Sequence, residues 1–199
     1  SLVDLDQQLG TLREQAAATT TARKAQATLI VRHAWASQEI PRLAKHLGAQ
    51  AVFTNHDYEP QAVLRDTLVK EALAAEGMAL HTFKDHVIFE REELLTQSDK
   101  PYGVFTPYKN AWLKKLNSYY LKSYPCEAYA ASIGTAPAGL AQGVPGLEAI
   151  GFEKTNLSTL KIPTGSHGAR KLFAEFFERM DSYHDTRDFP AIKGPSYLG

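Results

Sequence analysis

Apolar residues recur at helical spacing at the start of the chain, with Leu2, Leu5, Leu9 and Leu12 set among polar neighbours. This predicts a helix over Leu2–Ala18, ended by the threonine-rich stretch Thr19–Thr21. The short apolar and partly β-branched run Ala27–Val31 predicts a strand, followed by a helix with Ser37 at its N-cap and Gly48 at its stop. The cycle then repeats. Ala51–Thr54 reads as a strand, Pro60 opens a helix, and Val63, Leu64, Leu68, Leu73 and Ala74 carry its apolar face as far as Gly77. A third strand is expected from Met78 to about Phe83. Strands and helices alternating at this spacing imply right-handed crossovers and parallel pairing.

The pattern predicts an α/β chain with a Rossmann-like doubly wound parallel sheet, whose ligand crevice lies beyond the carboxyl ends of the strands. Asn55–Glu59 falls at such an end. Three strands make a thin sheet of this kind, and one or two further strands are expected before Ser1. Pro107 to about Lys122 reads as a long helix with Trp112, Leu113 and Leu116 on one face. From Ser123 to Gly168 glycine, alanine, proline and serine dominate, which marks a connector. A last helix is expected from about Ala169 to Tyr183, with Leu172, Phe173, Phe176 and Phe177 turned inward. The expected organisation is an α/β domain at 1–122, a connector at 123–168, and a helix opening a further domain at 169–199.

Composition narrows the function. Among 199 residues, 22 basic side chains balance 22 acidic ones, so the chain as a whole has no electrostatic reason to seek phosphate backbones or anionic membranes. Any DNA contact is expected elsewhere. A single cysteine, Cys126, rules out an internal disulfide framework and a cysteine-rich zinc site. No apolar run reaches membrane-span length and Ser1–Gly10 lacks a secretory layout, so a cytoplasmic protein without membrane contact is expected.

The seven histidines, His33, His46, His56, His81, His86, His167 and His184, show no metal-ligand spacing, and no metal site is predicted. His56 and Asp57 are adjacent at a strand end, and adjacency alone does not make a catalytic pair; Asp57 is a candidate helix cap. Glu90, Glu92 and Glu93 are read as a solvated helix start rather than paired carboxylates. No phosphate-binding glycine loop or nucleophile elbow is present. The residues alone describe an α/β domain able to hold a small molecule at its strand ends, with no catalytic residue.

Three stretches resemble the DNA photolyase and cryptochrome family, in particular cyclobutane pyrimidine dimer photolyases of the class I type. They are Asn55-His56-Asp57-Tyr58-Glu59-Pro60 with Arg65-Asp66, the run Lys100–Trp112, and Tyr183 followed by Arg187–Pro190 and Gly194–Leu198. The resemblance implies an N-terminal antenna domain that holds a light-harvesting chromophore, beside a helical domain outside this chain that holds FAD. It implies that the whole enzyme, as a monomer, meets UV-damaged DNA through that helical domain and splits pyrimidine dimers by electron transfer from reduced FAD. It places Tyr183, Ser196, Tyr197 and Leu198 at the flavin, although Pro195 and Gly199 stand where members carry threonine and serine. It places Asn55, Asp57 and Glu59 at the antenna. Members that bind reduced folate carry asparagine and glutamate where this chain has Gln61 and Ala62, so the resemblance favours a deazaflavin or flavin antenna. Two other readings are a cryptochrome photoreceptor and a free-standing nucleotide-binding α/β adaptor domain.

Overall fold

A computed structural model describes residues 1–18, 29–156, 159, 163–189, 191–194 and 196. The chain forms two compact units, one of Ser1–Val31 with Pro125–Gly199 and one of Arg32–Tyr124.

In the unit Arg32–Tyr124, helix α2 (Ala36–His46) precedes strand β1 (Ala51–Asn55), helix α3 (Pro60–Ala75) and strand β2 (Ala79–Phe83). β1 and β2 pair in parallel, Ala51 opposite Ala79 through Asn55 opposite Phe83. Parallel pairing demands a crossover, and α3 supplies it. Glycine ends both helices for a geometric reason. Gly48 (φ +62°) and Gly77 (φ +75°) adopt the left-handed conformation that turns the chain back toward a strand. α2 begins one residue before the expected cap: Trp35 stands at the N-cap and its carbonyl accepts from the Gln38 and Glu39 N–H groups.

The core of this unit lies between the sheet and the two helices. Ala44, Val69, Leu73 and Met78 are buried, with Ile40, Ala49, Val52 and Leu80 packed against them. Strand alternation sends Val52 and Leu80 inward and puts Phe53, His81 and Phe83 on the opposite face. There the Phe53 ring stacks on His81 at 5.0 Å and on Phe83 at 6.2 Å. Phe53 remains 68% exposed.

Beyond β2 the chain is irregular until helix α4 (Phe105–Lys115) and the short helix α5 (Ser118–Leu121). The single helix expected from Pro107 to Lys122 is therefore two. Leu116 turns extended (ψ 133°), and the Asn117 side chain accepts the Tyr119 N–H at 2.9 Å, capping a new helix.

In the other unit, helix α1 (Leu2–Ala18) packs on helix α6 (Gly165–Phe177) and on the 3-10 turns of Cys126–Ser132. Asp4 receives the His167 N–H at 3.2 Å, and Arg13 donates to the Ile133 carbonyl. A Gln8 side-chain hydrogen bond, with the His167 N–H, holds the Asp4 carboxyl below the ordinary carboxylate range. Helix α6 starts four residues earlier than the sequence pattern suggests and buries Phe176, while Phe173 and Phe177 stay exposed. A 3-10 turn and helix α7 (Tyr183–Thr186) follow it.

The strand expected at Ala27–Val31 needs correction: Leu29–Val31 are not in a strand, and Ala27 and Thr28 lie outside the described residues. Leu29 instead donates its N–H to Asp6 at 2.6 Å, within its own unit. Among the described residues the sheet has two strands.

Gly168 is packed so tightly that a Cβ would lie 2.5 Å from the Pro163 carbonyl carbon. Gly168→Ala should destabilise the unit by about 1–3 kcal/mol through overpacking, despite alanine's better helix propensity. A lowered urea midpoint would register it, and an unchanged or raised midpoint would contradict the packing.

Candidate functional site

The carboxyl end of β1 and the first turn of α3 are joined by His56–Glu59, and the local chemistry of that loop fixes its shape. Asp57 Oδ1 accepts the N–H of Tyr58 at 2.7 Å and of Glu59 at 3.3 Å, folding the chain into α3. The Glu59 N–H, joined by that of Tyr58 and by the charge of Arg65, holds the Asp57 carboxyl below the usual carboxylate range. Asp57 is thus committed to the turn before α3 and not to a cap on the helix itself, whose N-cap is Glu59. Glu59 occupies the N-cap position without a side-chain capping bond, and Pro60 sits where a missing N–H costs nothing.

A cavity of about 570 Å³ opens beside this loop, between the start of α2 and the first turns of α3. Trp35, Ser37, Glu59, Gln61, Ala62 and Arg65 contribute to its wall. The volume falls within the range of small-molecule sites, roughly 300–1,000 Å³. Trp35 offers an aromatic face, Gln61 both a donor and acceptors, and Glu59 a carboxylate. Arg65 pairs with Asp66 at 2.8 Å, which raises the guanidinium's already high pKa and keeps it cationic.

Of the three residues expected at an antenna ligand, the cavity wall includes Glu59. Asn55 donates to Asp85 at 2.9 Å, and Asp57 serves the turn. Trp35, Gln61 and Arg65 complete the wall, although neither periodicity nor motif pairs residue 35 with residues 61 and 65. The one available sign was the placement of all of them at helix starts following strand-like runs.

Behind the loop lies a polar cluster that the sequence did not expose. His56 Nδ1 lies 2.6 Å from Glu90 Oε1, and its Nε2 lies 2.9 Å from Thr82 Oγ1. Tyr58 is also drawn to Glu90: burial first, then its hydrogen bond to that carboxylate, raises the phenol above its ordinary pKa. Glu90 and Glu93 form a reciprocal capping box around the 3-10 turn Arg91–Glu93, so the acidic cluster does open a helical turn, but Glu90 is mostly buried against His56 instead of solvated. Lys84 donates to both Glu93 oxygens, at 2.7 and 2.9 Å, and to the Ile88 carbonyl at 3.0 Å. Among the described residues no group of His, Cys, Asp or Glu is arranged to hold a metal ion.

Lys84 pulls the Glu93 carboxyl below its ordinary range, so the pair stabilises the fold above the unfolded glutamate's pKa. That contribution should fade as pH falls through about 4.3 and below. The urea midpoint of the chain followed from pH 7 to pH 3 should flatten in Glu93→Gln; an identical profile in the variant would remove this pair from the acid response.

Of the sites implied for a flavin, Tyr183 begins α7 and meets Phe176 edge-on at 5.2 Å, in the unit containing α6. Ser196 is half-buried. Tyr197 and Leu198 lie outside the described residues.

Fold and cavity together define an α/β unit with a cavity where a strand hands over to a helix. The family model for DNA photolyase matches residues 5–129. The deoxyribodipyrimidine photo-lyase of Halobacterium salinarum is 32% identical over 176 residues, 85% of this chain and 35% of the relative. Cryptochrome-1 of Arabidopsis thaliana is 30% identical over 66 residues, covering 33% of this chain and 10% of that protein. The crystal structure of a bacterial class III photolyase from Agrobacterium tumefaciens matches with a TM-score of 0.70 at 24% identity, over 97% of this chain and 40% of that one. The chain belongs to the DNA photolyase family, and its α/β fold is that of the photolyase N-terminal region. It spans about a third of the length of the curated photo-lyases it matches. Among the described residues no helix is long and apolar enough to cross a membrane.

Proposed function

We propose that this chain is the antenna-bearing part of a deoxyribodipyrimidine photo-lyase, and that the cavity between α2 and α3 holds its light-harvesting chromophore. The observation that carries the reading is the coincidence of the family match with a cavity at the β1–α3 junction, walled by Trp35, Glu59, Gln61 and Arg65. A planar heteroaromatic ring fits these groups: Trp35 can stack on it, Gln61 can meet a ring edge that both donates and accepts, and Arg65 can face an anionic substituent. Asn55, Asp57 and Glu59 belong to this reading as the loop that shapes the rim. Gln61 and Ala62, in place of the pair that grips a reduced folate, favour a deazaflavin or flavin antenna.

When bound, reduced FAD supplies the electron that splits the pyrimidine dimer. In the whole protein Tyr183, Ser196, Tyr197 and Leu198 would contribute to holding it, with hydroxyl and backbone donors facing its phosphates. UV-damaged DNA would be met by the part of the protein that lies outside this chain. The working assignment is a cytoplasmic monomer, with domains at 1–122, 123–168 and 169–199.

The test uses the protein at the full length of its relatives, purified in the dark. Bound flavin together with loss of cyclobutane dimers from irradiated DNA under blue light is the expected result, and absence of flavin would sink the assignment. Flavin without repair would instead favour a cryptochrome photoreceptor, the reading for which the similarity to Cryptochrome-1 speaks. For the antenna, filling the wall by Ala62→Phe should weaken deazaflavin binding at least tenfold while leaving FAD content unchanged. Equal affinity in the variant would place the antenna elsewhere.

A further inference from the structure

The balanced charge of the whole chain conceals a one-sided segment. From Lys100 to Cys126 there are five lysines, Lys100, Lys109, Lys114, Lys115 and Lys122, and no aspartate, glutamate or arginine. This segment contains α4 and α5, and its lysines are interleaved with Tyr102, Phe105, Tyr108, Trp112, Tyr119, Tyr120 and Tyr124.

The structure divides these residues into two sets. Trp112 and Tyr120 close on Phe89 with edge contacts of 5.6 and 4.8 Å, and Lys115 lies over the same ring at 5.0 Å while reaching the Glu93 carbonyl. That set is structural. The second set faces solvent: Phe105 is 72%, Tyr119 79% and Tyr124 85% exposed, and Lys100, Lys109, Lys114 and Lys122 are exposed with them. The lysines that pair with carboxylates among the described residues, Lys45, Lys84 and Lys193, all lie outside the segment. On α4, Phe105 and Lys109 stand one turn apart on the same stripe, and Leu113 continues it a turn later.

We infer that this surface of α4 and α5 binds single-stranded nucleic acid, independently of any lesion. The ammonium groups of Lys109, Lys114 and Lys122, with no carboxylate near them in sequence, match a phosphate backbone, and exposed aromatic rings match unpaired bases, which stack without regard to sequence. A duplex hides its base faces and leaves the aromatic half of the surface unused. An acidic protein partner would use the lysines and likewise leave the rings without a role.

The test is fluorescence anisotropy of end-labelled oligothymidylate and oligouridylate titrated with the full chain over a salt series. Binding should weaken with salt at a log–log slope of about −2 to −3, for three to four phosphate contacts at roughly 0.7 each. Lys109→Glu with Lys114→Glu should weaken it at least tenfold and flatten the slope. Phe105→Ser with Tyr119→Ser should weaken it severalfold at unchanged slope, and Lys109→Arg with Lys114→Arg should retain it, with far-UV circular dichroism reporting the fold of each. The two polymers side by side identify which strand is preferred. Absence of binding near 50 mM salt, duplex binding as tight as single-strand binding, or binding indifferent to both sets of substitutions would each overturn the inference.

Discussion

Leu73→Ala is expected to cost the unit Arg32–Tyr124 about 3 kcal/mol, read as a lowered urea midpoint with little change in slope. Leu73 is the one large side chain with no solvent exposure among the described residues, and it sits with Val69 and Met78 at the centre of the sheet–helix core. Removing three carbons there loses their transfer free energy and leaves a void that packed neighbours fill only in part. The effect should reach the cavity. Leu73 anchors the far end of α3, and the first turns of the same helix carry Gln61, Ala62 and Arg65. Affinity for the proposed chromophore should fall along with stability, and a variant as stable as the parent would show that the core closes elsewhere.

Phe89→Ala should be comparably damaging, at about 3–4 kcal/mol, although Phe89 lies in an irregular segment. Its ring is 7% exposed and is held by Trp112, Tyr120 and the Lys115 ammonium, so its loss removes aromatic and cation–π contacts together with apolar burial. Trp35 is already exposed, so a change in tryptophan emission would report Trp112. The segment Lys84–Glu93 should loosen in hydrogen exchange, because Phe89 is the apolar anchor among its polar ties. Unchanged protection there would assign the anchoring to Lys84 and Glu90 instead.

How much of this was legible beforehand follows from the range of each interaction. Helices α1, α2 and α3 and the strand pair were readable because their signals are local: apolar spacing, Pro60 at a helix start, and Gly48 and Gly77 at helix ends. The split between α4 and α5 was also local, yet the apolar spacing runs across it and masks the cap that Asn117 provides. Of the strand expected at Ala27–Val31, the described residues Leu29–Val31 lie in none, for a different reason. A β-branched run states a preference, and a strand exists only when a neighbour offers a ladder, which β1 and β2 offer to each other. At the candidate site, the loop Asn55–Glu59 is legible as a strand end, but its polar partners come from Glu90 and Asp85, some thirty residues away. Nothing in the sequence couples His56 to Glu90; the crossover through α3 to β2 does that.

The contact between His56 and Thr82 carries one more consequence. A carboxylate can only accept, so Glu90 fixes the proton of a neutral ring on Nδ1 and leaves Nε2 to accept from the Thr82 hydroxyl, a rotor that turns to suit it. The imidazole is thereby held at both nitrogens, one from β2 and one from the turn at Arg91–Glu93, and the loop beside the cavity depends for its shape on both.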